Sequence, residues 1–273
     1  MPAKTADPLL SVEGLCVEAR SDARTFPILQ DVSFDLHAGE TLSIVGESGS
    51  GKSMTLRAVL GLLPPGIHLT SGRVDLDGNQ LVGASERQLR SVRGGQIGMI
   101  FQDPMTALNP VMTIGEQIDE TLKQHSRELD RAGRRKRIVE LLDQVRLPNA
   151  ASRLRQYPHE FSGGMRQRTM IAMAMANRPR VLLADEPTTA LDVTVQAQIL
   201  DLLKELQQET GAAIALITHD LGVVAEVADR AVVLYAGRIV ESGPAQELFE
   251  APVHPYLRGL LDSRPAKAVS SGA

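Results

Sequence analysis

The stretch Gly46-Glu47-Ser48-Gly49-Ser50-Gly51-Lys52-Ser53 constrains this chain more than any other. It has the spacing G-x-x-x-x-G-K-[ST]. The apolar run "TLSIV" precedes it, and Lys52 to Leu63 follows with apolar residues at helical spacing. Strand, glycine-rich loop and helix in that order make a phosphate cradle. The glycines let the backbone wrap closely, so that its N–H groups converge. The helix start adds the positive end of its dipole. Gly46 through Ser53, with Met54 next on the helix, are therefore expected to line a nucleotide's phosphates. Lys52 reaches the β- and γ-phosphates, and the Ser53 hydroxyl takes Mg²⁺.

Such a cradle needs an α/β sheet, and the remaining pattern supplies one. "LLSVEGLCVEA" and "ILQDVSFDL" alternate like strands, with turn-prone "RSDARTFP" between them. Pro64-Pro65-Gly66 is expected to end the helix after the loop, and "SGRVDLDGNQL" carries the Asp-Gly signal of a tight turn. After the strand "QIGMIFQ", Thr113 to Ala176 is rich in helical pattern and poor in strand pattern. Strand and helix then alternate through "RVLLAD", Val193 to Glu209, "AAIALIT", "LGVVAEVA" and "RAVVLYAG". The fold class is α/β, a sheet core interrupted by a helical insert.

Two carboxylates close the apolar strand "RVLLADEP". An acid at such a strand end holds Mg²⁺ in phosphate-loop NTPases, which assigns Asp185. Glu186, beside it, is the candidate to orient or deprotonate an attacking water. His219 follows the apolar strand "AAIALITHD", at the edge where open α/β sheets bind ligands. A second glycine-rich helix start, "EFSGGMRQRTM", begins like another phosphate site.

Composition removes other classes. A net charge of −4 does not suit a dedicated nucleic-acid binder. The single cysteine, Cys16, reads as a small hydrophobe and permits no internal disulfide. "MPAKTADPLLSVEGL" lacks the pattern of a signal peptide. No apolar run approaches the ~18 residues of a spanning helix, so a membrane role would run through a partner. Arg134 to Arg137 reads as a solvated helix face, Met165, Met170, Met173 and Met175 as helix packing, and Pro265 to Ala273 as a frayed tail.

The ordered set "GESGSGKS", "FQDP", "FSGGMRQR", "LLADEP", "TALD" and "ITHD" resembles the ATP-binding subunit of an ABC transporter. "IFQDPMTALNPVMTIGEQI" and "HPYLRGLL" narrow the resemblance to the oligopeptide/dipeptide importer group, which also holds nickel and glutathione systems. The resemblance implies a single ABC ATPase domain over 1–273. It would have a P-loop NTPase core with a mixed sheet, flanking helices and an antiparallel β subdomain over 9–112 and 177–250. An inserted α-helical subdomain would span 113–176, with a peptide-importer-type extension over 251–273.

It also implies roles. Gln102 would sense Mg²⁺ and the γ-phosphate, and Glu186 would be the catalytic carboxylate. His219 would be the switch histidine, and Asp192 would cross a dimer interface. Ser162, Gly163 and Gly164 would meet ATP on the opposite subunit. The implied partners are a second ATPase, a paralogue rather than a copy, two integral-membrane permeases and an extracytoplasmic solute-binding protein, with no nucleic acid. The implied place is the cytoplasmic face of the inner membrane, held peripherally.

Two departures accompany the resemblance. Ala19 stands where the family stacks an aromatic on adenine, leaving Phe26 or a residue elsewhere for that contact. The four-cysteine motif of some relatives is missing, so no iron–sulfur cluster is expected. A soluble mechanical ATPase would tend to carry coiled coils, a zinc module or tandem cassettes, which this sequence lacks. Intact Glu186 and His219 argue against a catalytically dead subunit, and the "HPYLRGLL" end against an exporter.

Overall fold

The computed structural model describes residues 7–21 and 24–263. In chain order the elements are β1 (Leu10–Ser21), β2 (Arg24–Leu36), β3 (Thr41–Val45), α1 (Lys52–Val59), β4 (Ile67–Leu76), β5 (Asn79–Gln80) and α2 (Glu86–Val92). Then come β6 (Ile97–Ile100), α3 (Pro104–Ala107), α4 (Ile114–His125), α5 (Arg131–Gln144), α6 (Ala150–Arg153) and α7 (Gly163–Met175). The last are β7 (Val181–Asp185), α8 (Val193–Thr210), β8 (Ala213–Ile217), α9 (Leu221–Val227), β9 (Arg230–Tyr235), β10 (Arg238–Pro244), α10 (Ala245–Glu250) and α11 (Pro255–Asp262).

Two sheets result. One is antiparallel, in the order β2-β1-β4-β5; the other runs β10-β9-β3-β8-β7-β6 and is parallel except for β10. The mixed sheet that the resemblance implies is present. Its central strands are apolar on both faces because both faces are covered. Leu182 and Ala184 of β7 pack among the helices α4, α5, α7 and α8, while Val181 and Leu183 pack toward the antiparallel sheet. That alternation is the two-residue period of a strand. A third cluster, including Val45, Val224, Val233, Leu248 and Leu257, seats α9, α10 and α11.

Between β6 and β7 the described chain is helical. Each main helix there starts on a cap: the Thr113–Glu116 box for α4, Asp130 for α5 and Ser162 for α7. Met170 and Met175 are buried in that core, as the packing reading expects.

Several local readings change. β1 and β2 run on through Arg20, Ser21 and Arg24 to Pro27, so most of the expected turn is strand. Strand pairing overrode the turn chemistry there. α1 ends at Val59, and Gly61 at φ 62° turns the chain before the prolines are reached. The Arg134–Arg137 run divides: Arg135 and Lys136 are exposed as expected, while the Arg134 and Arg137 side chains are only 15% and 16% exposed, with Arg134 Nε 2.6 Å from Asp119 Oδ1. The tail from 265 to 273 and the first six residues lie outside the described residues.

The two sheets are tied at one turn. Gly237, between β9 and β10, donates its N–H to Ser50 O at 3.0 Å and accepts the Gln30 N–H at 2.8 Å. A β-carbon on Gly237 would meet Ile28 O at 2.2 Å, so only glycine fits this junction.

Candidate functional site

The C-terminal ends of four neighbouring parallel strands deliver the candidate residues to one edge. The phosphate-type loop follows β3, Gln102 follows β6, Asp185 and Glu186 follow β7, and His219 follows β8. The ends are in line, since Ile217 pairs with both Ile44 and Asp185. Ligands of open α/β sheets bind at such an edge.

The loop has a conformation that its glycines permit. Gly46 lies at φ 153°, and a β-carbon there would meet Leu234 O at 2.1 Å. Gly51 opens α1 at φ 108°, against Leu29. Lys52 is 5% exposed, and its Nζ donates to the carbonyls of Gly46 and Glu47, each at 2.8 Å. Burial pulls its pKa below the ordinary lysine value, against the opposing pull of Glu186, Asp185 and Glu47. Ser50 Oγ is buried without a protein partner among the described residues. Glu47, Ser48 and Gly49 are exposed at the loop's outer turn, and Met54 packs partly against the core.

Beneath the loop, Ser53 Oγ donates to Asp185 Oδ1 at 2.8 Å. Asp185 is 1% exposed, and burial raises its pKa, with Glu186 adding to the rise and the Ser53 bond opposing it. A hydroxyl and a buried carboxylate are hard oxygen donors, the chemistry that suits Mg²⁺. A cation there would relieve the charge that burial penalises.

Glu186 Oε2 is a meeting point. It accepts from Gln102 Nε2 at 3.1 Å and Thr189 Oγ1 at 2.7 Å, and His219 Nδ1 lies at 3.4 Å. Glu186 holds φ 45°, with its N–H bonded to Ile217 O at 3.1 Å. A bulky side chain in the left-handed region is strained, and such strain gathers at functional sites. The sequence reading missed Thr189. Its place three residues after Glu186 was the available signal.

Not every candidate comes to this edge. Among the described residues, no side-chain hydrogen bond joins Ser162 to the loop of residues 46–53. Ser162 instead caps α7 through Met165 N at 3.3 Å, with Gly163 exposed beside it. A β-carbon on Gly164 would meet Val195 at 3.1 Å, so the α7 start lies close against α8. Asp192 caps α8 through Val195 N at 2.9 Å. Gln102 faces Glu186 rather than the Ser53–Asp185 pair. Phe26 is 52% exposed and pairs with Ala19 across β1 and β2.

Comparisons with known proteins place the chain in a family. The family model for ABC transporters matches residues 29–189. The dipeptide transport ATP-binding protein DppD of Bacillus subtilis (strain 168) is 51% identical over 258 residues, 94% of this chain and 77% of the relative. The oligopeptide transport ATP-binding protein OppD of the same organism is 53% identical, covering 94% and 72%. The ATP-binding cassette MJ0796, solved as a dimer in a post-hydrolysis state bound to ADP and Pi, superposes with a TM-score of 0.77. It is 30% identical, and the match covers 86% of this chain and 98% of that one. With its glycine-rich loop and the Asp185–Glu186 carboxylates at one sheet edge, this chain belongs to the ABC transporter family as an ATP-hydrolysing, ATP-binding subunit.

Proposed function

We propose that the chain powers an importer of dipeptides or oligopeptides from the cytoplasmic face of the inner membrane. One observation carries the catalytic part of this reading: Gln102, Thr189 and His219 converge on Glu186 Oε2, next to the buried Lys52 and the Ser53–Asp185 pair. Names of close relatives support the cargo class.

In this reading the loop from Gly46 to Ser53, with Met54 behind it, binds the phosphates of ATP, and Lys52 leaves its loop carbonyls for them. Ser53 and Asp185 would hold Mg²⁺, with the amide oxygen of Gln102 joining them once that side chain turns from Glu186, and the ion would supply positive charge against the phosphates. Glu186 accepts the proton of the attacking water, oriented by the donors around it. His219, whose side chain is 66% exposed, contacts the γ-phosphate. Phe26 stacks on adenine in place of Ala19, since cross-strand partners share one face of a sheet.

The exposed start of α7 and Asp192 serve a second ATPase in a head-to-tail dimer. Ser162, Gly163 and Gly164 complete the partner's ATP site. ATP favours closure because the closed dimer adds these contacts. That second ATPase is a paralogue in this reading. Two membrane permeases and an extracytoplasmic binding protein complete the assembly.

Residues 113–176 form a helical subdomain on the core of 9–112 and 177–250, and α11, from the segment after 250, packs on the core. Between core and subdomain lies a cavity of about 450 Å³, lined by Phe101, Asn109, Met112, Gln117 and Met173 among others. It is the place for a permease segment. No helix among the described residues is long and apolar enough to cross a membrane, so attachment runs through that contact.

Co-purification with the membrane subunits, reconstitution in vesicles and assay with the binding protein test this reading. Peptide-loaded binding protein should raise ATP hydrolysis. Stimulation only by nickel- or glutathione-loaded protein, or none, would overturn the cargo assignment.

A further inference from the structure

The helix α11 is far from the phosphate loop in sequence and against it in space. Its Tyr256 Oη accepts the Glu47 N–H at 2.8 Å. This side chain is firmly placed. Leu257 beside it is fully buried in the third cluster. Glu241 clamps the entry to α11, accepting the N–H groups of Val253 at 2.8 Å and His254 at 2.9 Å. His254 then caps the helix through the Tyr256 N–H at 3.2 Å. The ring of Tyr235, at the end of β9, lies 4.4 Å from the Tyr256 ring.

What Tyr256 touches gives the contact its meaning. The Gly46–Glu47 peptide unit has its N–H on Tyr256 Oη and its carbonyl on Lys52 Nζ at 2.8 Å. Hydroxyl, peptide and ammonium thus form one chain of hydrogen bonds. The Tyr256 bond fixes the direction of the Gly46 carbonyl, and with it the resting place of Lys52 Nζ beside the loop. It also stops this peptide from rotating at Gly46, where the glycine backbone is free to turn.

We propose that Tyr256 is a positioning residue of the nucleotide site: α11 sets the Gly46–Glu47 peptide through the Tyr256 hydroxyl and so pre-shapes the phosphate loop and its lysine for ATP. This rests on the loop being the ATP site. Pre-shaping lowers the ordering cost of binding, so its loss appears in affinity.

The test is Tyr256→Phe in the full chain, which keeps the ring and removes the hydroxyl. ATP affinity should fall about fivefold, the effect of one lost hydrogen bond. In the assembled transporter KM for ATP should rise by a similar factor, with kcat changed less than twofold. The Glu47 amide resonance should shift and lose exchange protection, while the melting temperature stays near that of the unaltered chain. Tyr235→Phe, which keeps the ring contact, should leave affinity unchanged. Unchanged ATP affinity together with an unmoved Glu47 amide in Tyr256→Phe overturns the proposal, as does a fast-exchanging Glu47 amide in the unaltered protein. Lys52→Ala separates the two readings: if it binds ATP normally, the loop assignment itself fails.

Discussion

The hydroxyl of Ser53 donates to Asp185 Oδ1 at 2.8 Å across 132 positions of sequence. The bond joins the first turn of α1 to the end of β7. It also holds a carboxylate whose burial raises its pKa. Asp185→Asn keeps the shape and removes the charge. A carboxylate with a raised folded pKa costs stability when ionised, above that pKa, and costs nothing once protonated. The variant should therefore melt higher than the parent at neutral pH without nucleotide or metal. That advantage should shrink as pH falls through the raised pKa toward the ordinary aspartate value. Mg²⁺-dependent ATP hydrolysis should be lost at the same time. Thermal melts across pH with a parallel hydrolysis assay check both halves.

Glu186→Gln retains the acceptor for Thr189 but cannot take a proton from water. Loss of a general base costs about 10²- to 10⁴-fold. Steady-state hydrolysis should fall by at least a hundredfold, with ATP affinity within a factor of about three of the parent. Turnover at the parental rate would remove Glu186 from its proposed role.

Ser162→Arg removes the cap of α7 and puts a cation at a helix start, costing about 1 kcal/mol of stability. The rest of α7 stays anchored by buried Met170 and Ile171. In a complex of two ATPases, hydrolysis at the partner's loop should drop more than tenfold. The altered subunit, alone, should still bind ATP with unchanged affinity. Equilibrium binding to the isolated subunit decides the trans assignment.

Phe26→Ala should weaken ATP binding about tenfold, within the ~1–3 kcal/mol of one base–aromatic stack. Affinity for inorganic triphosphate should not change. Equal losses for both ligands would mean that the ring supports the fold instead.

How legible this was depended on how local each signal is. The glycine-rich loop, the Asp185–Glu186 pair and the helix starts near Gly163 and Val193 are encoded by adjacent residues, and local pattern makes them readable, whereas the Ser162 and Asp192 caps emerge only in the structure. The Glu186 cluster was half legible: Gln102, Glu186 and His219 sit at strand ends, but Thr189 joins from the turn that follows, where Glu186 holds φ 45°. The Tyr256–Glu47 bond was not legible, because it depends on how α11 packs across the sheet edge. The Arg134–Asp119 pair failed for the same reason: a charged run looks solvated until another helix supplies its partner.

The turn at Gly237 is bonded to Ser50 of the phosphate loop on one side and to Gln30 of β2 on the other. In the proposed reading Phe26, on that same β2, is the base platform, so one strand joins both ends of the nucleotide site. A ligand of that site would be gauged for length as well as chemistry. A phosphate chain without a base would then engage only the loop, a base without phosphates only Phe26, and a nucleotide both.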